Sequence, residues 1–381
     1  MENRKCPITS SVEFESYYVS NNDFVMTSDQ RIIAGNLDKI IFTKSGIVAN
    51  KKQFTKSEIE SLYKEDYELN TSGQDEHVFY TKNGPVSRSQ VYFDWVNPFI
   101  EDSFSKIIEI GCGEGRVLEK IIDKHPIKEI VGFDGSEKAA KYGQQKGLNI
   151  QQKIFLNEDK FPNADLFILI GVLEHVEDIS SMIKELVRAV SPEGRLILSI
   201  PIQDYIGYDV FFKDHIWHFT VKQFQALLVS CGLNVVHTDS NNPINHGFGL
   251  FVCEKNFKSP QSTILTNEIL VQKNNLSYWK QRLGKIDIII SKYGHKKIAV
   301  FGASEFFTFL YTYSSLPNIK IIACIDDSKE GTKKHGVSVF NSKWLDENKI
   351  DILMLAVNEK YNASITTKLA HLDLKIVSFF N

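Results

Sequence analysis

The sequence predicts an α/β chain centred on a doubly wound parallel sheet, with a small α+β lobe before it and a second, smaller α/β unit after it. Two observations carry this. From Ser105 to about Lys255, apolar runs of strand length alternate with apolar positions at helical spacing, the pattern of strands covered by crossover helices. Beyond residue 295 the alternation starts afresh, with strand-type runs at 297–301, 319–325, 350–357 and 374–379.

Residues 1–85 read as the first lobe. Strand-type pieces at 23–26 and 39–42 precede a helix over 55–63, opened by Thr55 and Glu58 in a capping-box arrangement. Asn83-Gly-Pro85 breaks the pattern, and a helix over 90–100 leads into the central segment, residues 86–257. There Ile107-Ile-Glu-Ile110 reads as a strand buried on both faces. Gly111-Cys-Gly-Glu-Gly115 follows, then Val117, Leu118, Ile121 and Ile122 at helical spacing. The next strand, Glu129-Ile-Val-Gly-Phe133, ends at Asp134. Residues 165–170 form a continuous apolar strand, and Ile179, Ile183, Leu186, Val187 and Val190 mark the face of the following helix. Ser191-Pro-Glu-Gly194 is expected to turn the chain into a strand over 195–200, and 233–238 with 247–253 suit an antiparallel edge hairpin.

Residues 258–294 read as a polar linker and a long helix, on which Ile269, Leu276, Trp279, Leu283, Ile286 and Ile290 make one apolar seam. The seam reads as a helix packed between domains, with a homodimeric coiled coil as second reading. In the last unit, residues 295–381, the loop Gly302-Ala-Ser-Glu-Phe-Phe307 has one glycine where a dinucleotide loop has three. Asp326 and Asp327 at the next strand end read as turn or capping acids ahead of ribose ligands.

Composition narrows the function classes. Across 381 residues, 43% hydrophobic and 12% aromatic content supports packed cores. The 44 basic and 47 acidic residues nearly balance, which predicts no nucleic-acid partner and no attraction to an anionic membrane. The start lacks the apolar stretch of a signal peptide and no run is long enough to span a bilayer, so the expectation is a cytoplasmic protein. Cys6, Cys112, Cys231, Cys253 and Cys324 are odd in number and scattered, as reduced thiols are.

The glycine loop carries the chemistry. Glycines between a strand and a helix let the backbone approach a ligand and leave free N–H groups at the helix start. The third glycine follows the second by two residues here, against three in the dinucleotide fingerprint. Glu109-Ile-Gly-Cys-Gly-Glu-Gly115, the strand-end Asp134 and Gly171-Val-Leu-Glu-His-Val176, in that order, resemble the class I S-adenosylmethionine-dependent methyltransferases over about residues 100–255. The resemblance implies a Rossmann-like methyltransferase domain with S-adenosyl-L-methionine as cofactor. Glu109, Gly111, Cys112, Gly113 and Gly115 would hold its methionine half, Asp134 its ribose, and Leu173 beside Gly171 its adenine, with Gly135 a further cofactor-binding position. One of Asn157, Glu158 and Asp159 would reach the adenine amine.

The acceptor side draws on two places. His175 follows the fourth strand at the carboxyl edge, where open α/β sheets bind ligands; a satisfied structural histidine is the competing reading. In Phe211-Phe-Lys-Asp-His-Ile-Trp-His-Phe-Thr220, a carboxylate beside a histidine can orient and strengthen an imidazole base. Thr220 also suits a helix cap. Asp214, His215 and His218 lack a further strong ligand, so no metal is expected.

Tyr208 to Thr220, followed by Ile244-Asn-His-Gly-Phe-Gly-Leu250, is similar to bacterial sugar-nucleotide C-methyltransferases, whose three-part layout would cover nearly the whole chain. Two departures stand out. The family's Tyr-x-Glu-His appears as Phe212, Asp214 and His215, without the tyrosine hydroxyl that would steady an enolate, so oxygen is as good an acceptor as carbon. Its N-terminal zinc pairs fall at Cys6 with Thr9 and Phe42 with Ser45, one ligand of four, so the lobe is expected to hold no zinc. The leading hypothesis is a methyltransferase of a sugar, sugar nucleotide or glycan precursor, with His215 as base, Asp214 orienting it and His175 as second candidate. The alternatives are an O- or N-methyltransferase of another small metabolite and a non-catalytic binding scaffold.

Overall fold

A computed structural model describes residues 4–64, 76, 78–81, 84–156, 159–242, 244, 246–256, 265 and 267–380. The chain divides into two compact units, each non-contiguous: 1–19, 38–210 and 214–275 in the first; 20–37, 211–213 and 276–381 in the second.

The first unit is built on seven strands: β1 Lys106–Ile110, β2 Glu129–Asp134, β3 Ile150–Gln152, β4 Ala164–Ile170, β5 Val190–Pro201, β6 Leu233–Asp239 and β7 Phe248–Lys255. Their order is β3-β2-β1-β4-β5-β7-β6. β7 pairs antiparallel with both β5 and β6, so the edge hairpin forms as expected, while β3 to β5 run parallel. The order reverses between β1 and β4, and ligands bind at the carboxyl ends beside such a switch point.

Strand alternation sorts the core into two layers. Ile108, Ile110, Phe167, Leu169, Leu196 and Leu198 pack with Ile179, Ile183 and Leu186 of α3 (Ile179–Ala189) and Phe224 and Leu227 of α4 (Val221–Ser230). Ile107, Leu166, Ile168 and Ile197 pack on the other face with Val117 and Ile121 of α1 (Arg116–Lys124) and with Trp95 and Val96. The helix expected over 90–100 runs Arg88–Val96 and tightens into a 3₁₀ turn at Asn97–Phe99, where Pro98 removes a donor.

The turn expected at Ser191–Gly194 lies inside β5. Val190 pairs with Ala164 and Arg195 with Leu166, so four residues bulge out of a continuous strand. Gly194 is required there because a Cβ would come 2.4 Å from the Asp165 carbonyl oxygen.

The N-terminal lobe contributes a four-stranded sheet in the order Phe14–Val19, Asp38–Phe42, Val48–Asn50, Trp217–His218. Its last strand comes from the histidine segment: Trp217 pairs with Ala49 and His218 with Val48. Cys6 Sγ and Ser45 Oγ, two of the positions matched to zinc ligands, are 3.2 Å apart and hydrogen-bonded. Phe42 is fully buried and Thr9 is exposed.

A long helix, α5 (Glu268–Tyr293), carries the apolar seam, and Leu276, Trp279, Ile286 and Ile290 are buried within the single chain. The second unit has a sheet of β8 Ile298–Phe301, β9 Ile321–Ile325, β10 Lys333–Lys334, β11 Val337–Phe340, β12 Ile352–Leu355 and β13 Lys375–Ser378, ordered β10-β11-β9-β8-β12-β13. All neighbours are parallel except the β10–β11 hairpin. Phe24–Met26 and Phe212 belong to this unit, joined by a bridge between Met26 and Phe212. Among the described residues no helix is long and apolar enough to cross a membrane.

Candidate functional site

The carboxyl ends of β1 and β2 form a cradle. Gly111, Gly113 and Gly115 all take positive φ, at 72°, 56° and 77°, where other residues are strained. At Gly111 a Cβ would also come 2.5 Å from Val172 Cγ2, whereas at Gly113 it would meet nothing within 4 Å. The Gly113 N–H donates to Asp134 Oδ2 at 2.7 Å and the Ser136 N–H to Oδ1 at 2.8 Å, which fixes the carboxylate against the loop. Gly135 offers its carbonyl to Gln152 Nε2.

Glu109, at the end of β1, is buried, and its Oε2 has no hydrogen-bond partner among the described residues. Burial, with Asp134 nearby, pushes its carboxyl up to about 8. Burial also raises Asp134, against the two amides that favour its charge. Cys112 is buried, and desolvation with the two acids drives its thiol well above the usual range, so it is not a nucleophile. The cradle thus sets two acids with raised pKa values beside the glycine loop, and a bound cation would favour their charged forms.

The second cluster lies beyond β4 and β5. Leu173–His175 form a 3₁₀ turn after β4, placing Glu174 and His175 at the sheet edge. His175 Nδ1 donates to the Asp214 carbonyl oxygen at 2.9 Å and lies 3.6 Å from Asp214 Oδ2, so its Nε2 carries the lone pair. Burial and then the neighbouring His215 pull the His175 imidazole down to about 4. The two rings meet edge to face, 4.8 Å between centroids.

His215 is buried, which by itself disfavours its charged form. Asp209, Asp214 and Glu174 outweigh that and raise it. Asp209 Oδ2 lies 3.8 Å from His215 Nδ1 and accepts from His218 Nδ1 at 3.0 Å, while Gln203 Nε2 donates to Oδ1 at 2.8 Å. Against the cost of burial, the two histidines hold Asp209 far below the ordinary carboxylate range. Burial pushes Glu174 up to about 7 against the pull of His215 and a backbone hydrogen bond, and its Oε2 has no partner among the described residues.

The segment from Asp214 to Phe219 is pinned from both sides. Thr220 and Gln223 form a reciprocal capping box at the start of α4, and Gln223 Nε2 donates to the Ser45 carbonyl. On the lobe side, the fully buried Lys39 donates to the His215 carbonyl at 2.6 Å and to His218 Nε2 at 2.8 Å.

Residues 87–238, which hold both clusters except Lys39, match a protein-family model described as a methyltransferase domain. By that match the segment is similar to methyltransferase domains. The chain is 24% identical to (S)-tetrahydroprotoberberine N-methyltransferase of Eschscholzia californica over 50% of this chain and 55% of that protein. It is 25% identical to a ubiquinone biosynthesis O-methyltransferase of Pseudomonas fluorescens (strain Pf0-1), over 28% of this chain and 48% of that protein. It thus spans about half the length of the curated relatives it matches. Among solved structures, an S-adenosylmethionine-dependent methyltransferase from Mesorhizobium loti overlays with a TM-score of 0.38 at 17% identity, over 43% of this chain and 98% of that one. Magnesium protoporphyrin IX methyltransferase from Synechocystis, solved with S-adenosylhomocysteine, gives 0.36 at 19% identity, over 44% and 81%.

The methyltransferase domain's residues suit its cofactor. S-adenosylmethionine carries a sulfonium and an ammonium, and the cradle offers the half-buried Asp134 and the buried Glu109, whose Oε2 lacks any partner among the described residues. Gly113 leaves open space at its Cα for close approach. Leu173 is wholly buried in the apolar core, and Val172 is the side chain that abuts Gly111. Asp159 accepts from the Leu156 N–H and pairs with Lys153; Asn157 and Glu158 lie outside the described residues.

The domain brings His175, Asp214 and His215 together, as their spacing alone could not. Sequence reasoning passed over Asp209, Glu174, Gln203 and Lys39. Asp209 and Glu174 each sit in a stretch already singled out, Glu174 next to His175 and Asp209 six residues before His215, which is the signal that could have found them. Lys39 had none, since it is separated from His215 by 176 residues.

Proposed function

We propose that the chain transfers a methyl group from S-adenosylmethionine to a sugar, sugar nucleotide or related glycan precursor, at oxygen or carbon, with His215 as general base. The observation that carries this is the pairing, at one sheet edge, of the two acids beside the glycine loop with the edge-to-face His175–His215 pair and its carboxylates. The cofactor, when bound, supplies an electrophilic methyl and loses its positive charge on transfer. The protein's part is to hold the acceptor in line and take its proton. Glu109 and Asp134 bind and orient through charge, with the glycine loop's amides beside them. His215 takes the proton, and the imidazolium so formed is stabilised by Asp209, Asp214 and Glu174. Asp214 acts on His215 through its charge and on His175 through its carbonyl, which holds the His175 proton on Nδ1 and leaves Nε2 the basic nitrogen.

The sugar reading draws on the similarity of the Tyr208–Thr220 segment to the sugar-nucleotide enzymes. The named relatives act, by their names, on an alkaloid nitrogen and in ubiquinone biosynthesis at oxygen, which keeps O- or N-methylation of another small metabolite as the alternative. Calorimetry with S-adenosylmethionine and S-adenosylhomocysteine comes first: no binding leaves only a scaffold. Transfer of labelled methyl across sugar nucleotides and phenolic or amine metabolites then separates the two substrate classes. His215→Asn is expected to lower turnover on the accepted class by about 10²–10⁴-fold with cofactor affinity retained.

A further inference from the structure

We propose that Lys39, on the N-terminal lobe's sheet, is a positioning residue that acts through His218 and Asp209 to fix the proton on His215, the base assigned above and the assignment on which this proposal rests. Lys39 is 0% exposed. Burying an ammonium is costly unless its protons find acceptors, and an apolar chain of the same length would fill the space without that cost. Its Nζ lies 2.8 Å from His218 Nε2 and 2.6 Å from the His215 carbonyl.

The chain of donors has one direction. An ammonium has only protons to give, so His218 Nε2 must accept, and the single proton of a neutral His218 sits on Nδ1. From there it is donated to Asp209 Oδ2 at 3.0 Å. His218 therefore meets Asp209 as a neutral donor, and a second proton on its ring would point at the Lys39 ammonium. The carboxylate's charge is left for His215, whose Nδ1 lies 3.8 Å from the same oxygen. Gln203 holds the other oxygen, so Asp209 cannot swing away. Among the described residues, the charged or titratable groups that face His215 are Asp209 from the turn after β5, Asp214 and His218 from its own segment, Glu174 and His175 from the turn after β4, and Lys39 from the lobe. The lobe thus contributes to the base without reaching the reacting atoms.

Removing the Lys39 charge gives a signature that packing alone does not. Without it His218 can take a second proton and draw on the charge of Asp209, and a second cation beside the carboxylate makes His215 harder to protonate. The two histidines then move in opposite directions, whereas loss of a distant positive charge by itself would raise both.

Full-length protein labelled with ¹⁵N-histidine and followed by NMR from pH 5 to 9 tests this. The wild type is expected to show His218 as the Nδ1–H tautomer without titrating, and a His215 midpoint above 6.5, its ordinary value. Lys39→Met should raise the His218 midpoint and lower that of His215 by about one unit, and Lys39→Arg should restore both. The tautomer needs no variant, so it decides even if Lys39→Met does not fold. An Nε2–H tautomer in the wild type overturns the proposal, as does a folded Lys39→Met protein whose His215 midpoint is unmoved or raised. So does a divalent metal found by elemental analysis, since Glu174, His175 and His215 have ligand atoms within 4.8 Å of one another and a metal there would replace the proton. None of these readouts involves substrate or cofactor, so a failure to bind S-adenosylmethionine would remove the enzymatic reading and leave this result standing.

Discussion

Glu109 shows how a binding residue costs the empty protein stability. Folded, it keeps its proton to about pH 8; unfolded, it releases it near the ordinary 4.5. Between those values the folded state binds more protons, so this residue's contribution is fully present below 4.5 and is lost as pH rises through 8. Glu174, held up to about 7, works with the same sign. His175 and His218, both pulled down to about 4 from 6.5, work the other way and cost stability as pH falls through that window. Glu109→Gln is therefore expected to flatten the decline in apo melting temperature from pH 6 to 8, read by differential scanning fluorimetry. The wild type should also release protons on binding S-adenosylmethionine at pH 7, seen as a buffer-dependent calorimetric enthalpy that Glu109→Gln reduces. An unchanged slope and a buffer-independent enthalpy would mean that Glu109 is already ionised without ligand. At this scale the sequence pointed to the glycine loop, Asp134 and the histidines because their signal is a local pattern. It was silent on Lys39, whose role exists only through a strand pairing made far along the chain.

Elements were legible where their own residues decide them. Thr55 and Glu58 exchange hydrogen bonds as the capping box predicts, with Glu58 Oε2 accepting from the Thr55 N–H at 2.8 Å and Thr55 Oγ1 from the Glu58 N–H at 3.2 Å. Bounds shifted where tertiary pairing intervened: β5 continues through Ser191-Pro-Glu-Gly194 because its partner β4 holds register on both sides of the bulge. The element with the most consequence for the site is the start of α4. There the box of Thr220 and Gln223 is buried, so its donors have no water to fall back on. Thr220→Ala is expected to cost about 1–2 kcal/mol in urea unfolding. It should also weaken transfer through misplacement of the 214–219 segment while leaving S-adenosylmethionine affinity near the wild type. Equal losses in stability and cofactor binding would mean that α4 supports the whole domain and not the acceptor side in particular.

At the scale of the molecule, the composition break near residue 295 announces the last α/β unit, but nothing local announces that residues 20–37 and 211–213 fold with it. That membership rests on side chains that read as ordinary apolar residues in sequence. Val25, Met26, Leu37 and Phe211 are all fully buried. Within the second unit Tyr313 receives the Met26 N–H and donates to the Phe211 carbonyl, Asn22 Nδ2 donates to the Thr312 carbonyl, and Phe211 packs on Phe309 and Trp279. A chain ended after Asn275 would keep these two segments and lose most of the unit that covers them. Exposing such side chains forfeits roughly 1.5–3 kcal/mol each and leaves an apolar patch prone to association. The truncated protein is therefore expected to elute as aggregate in size-exclusion chromatography and to bind a hydrophobic dye, although residues 86–257 look separable in the sequence. A monomeric truncation that binds S-adenosylmethionine with full-length affinity would show instead that 20–37 and 211–213 are dispensable to the first unit. Restoring solubility with Val25→Ser, Met26→Ser and Phe211→Ser in the truncation would tie the defect to those uncovered side chains and not to lost domain structure.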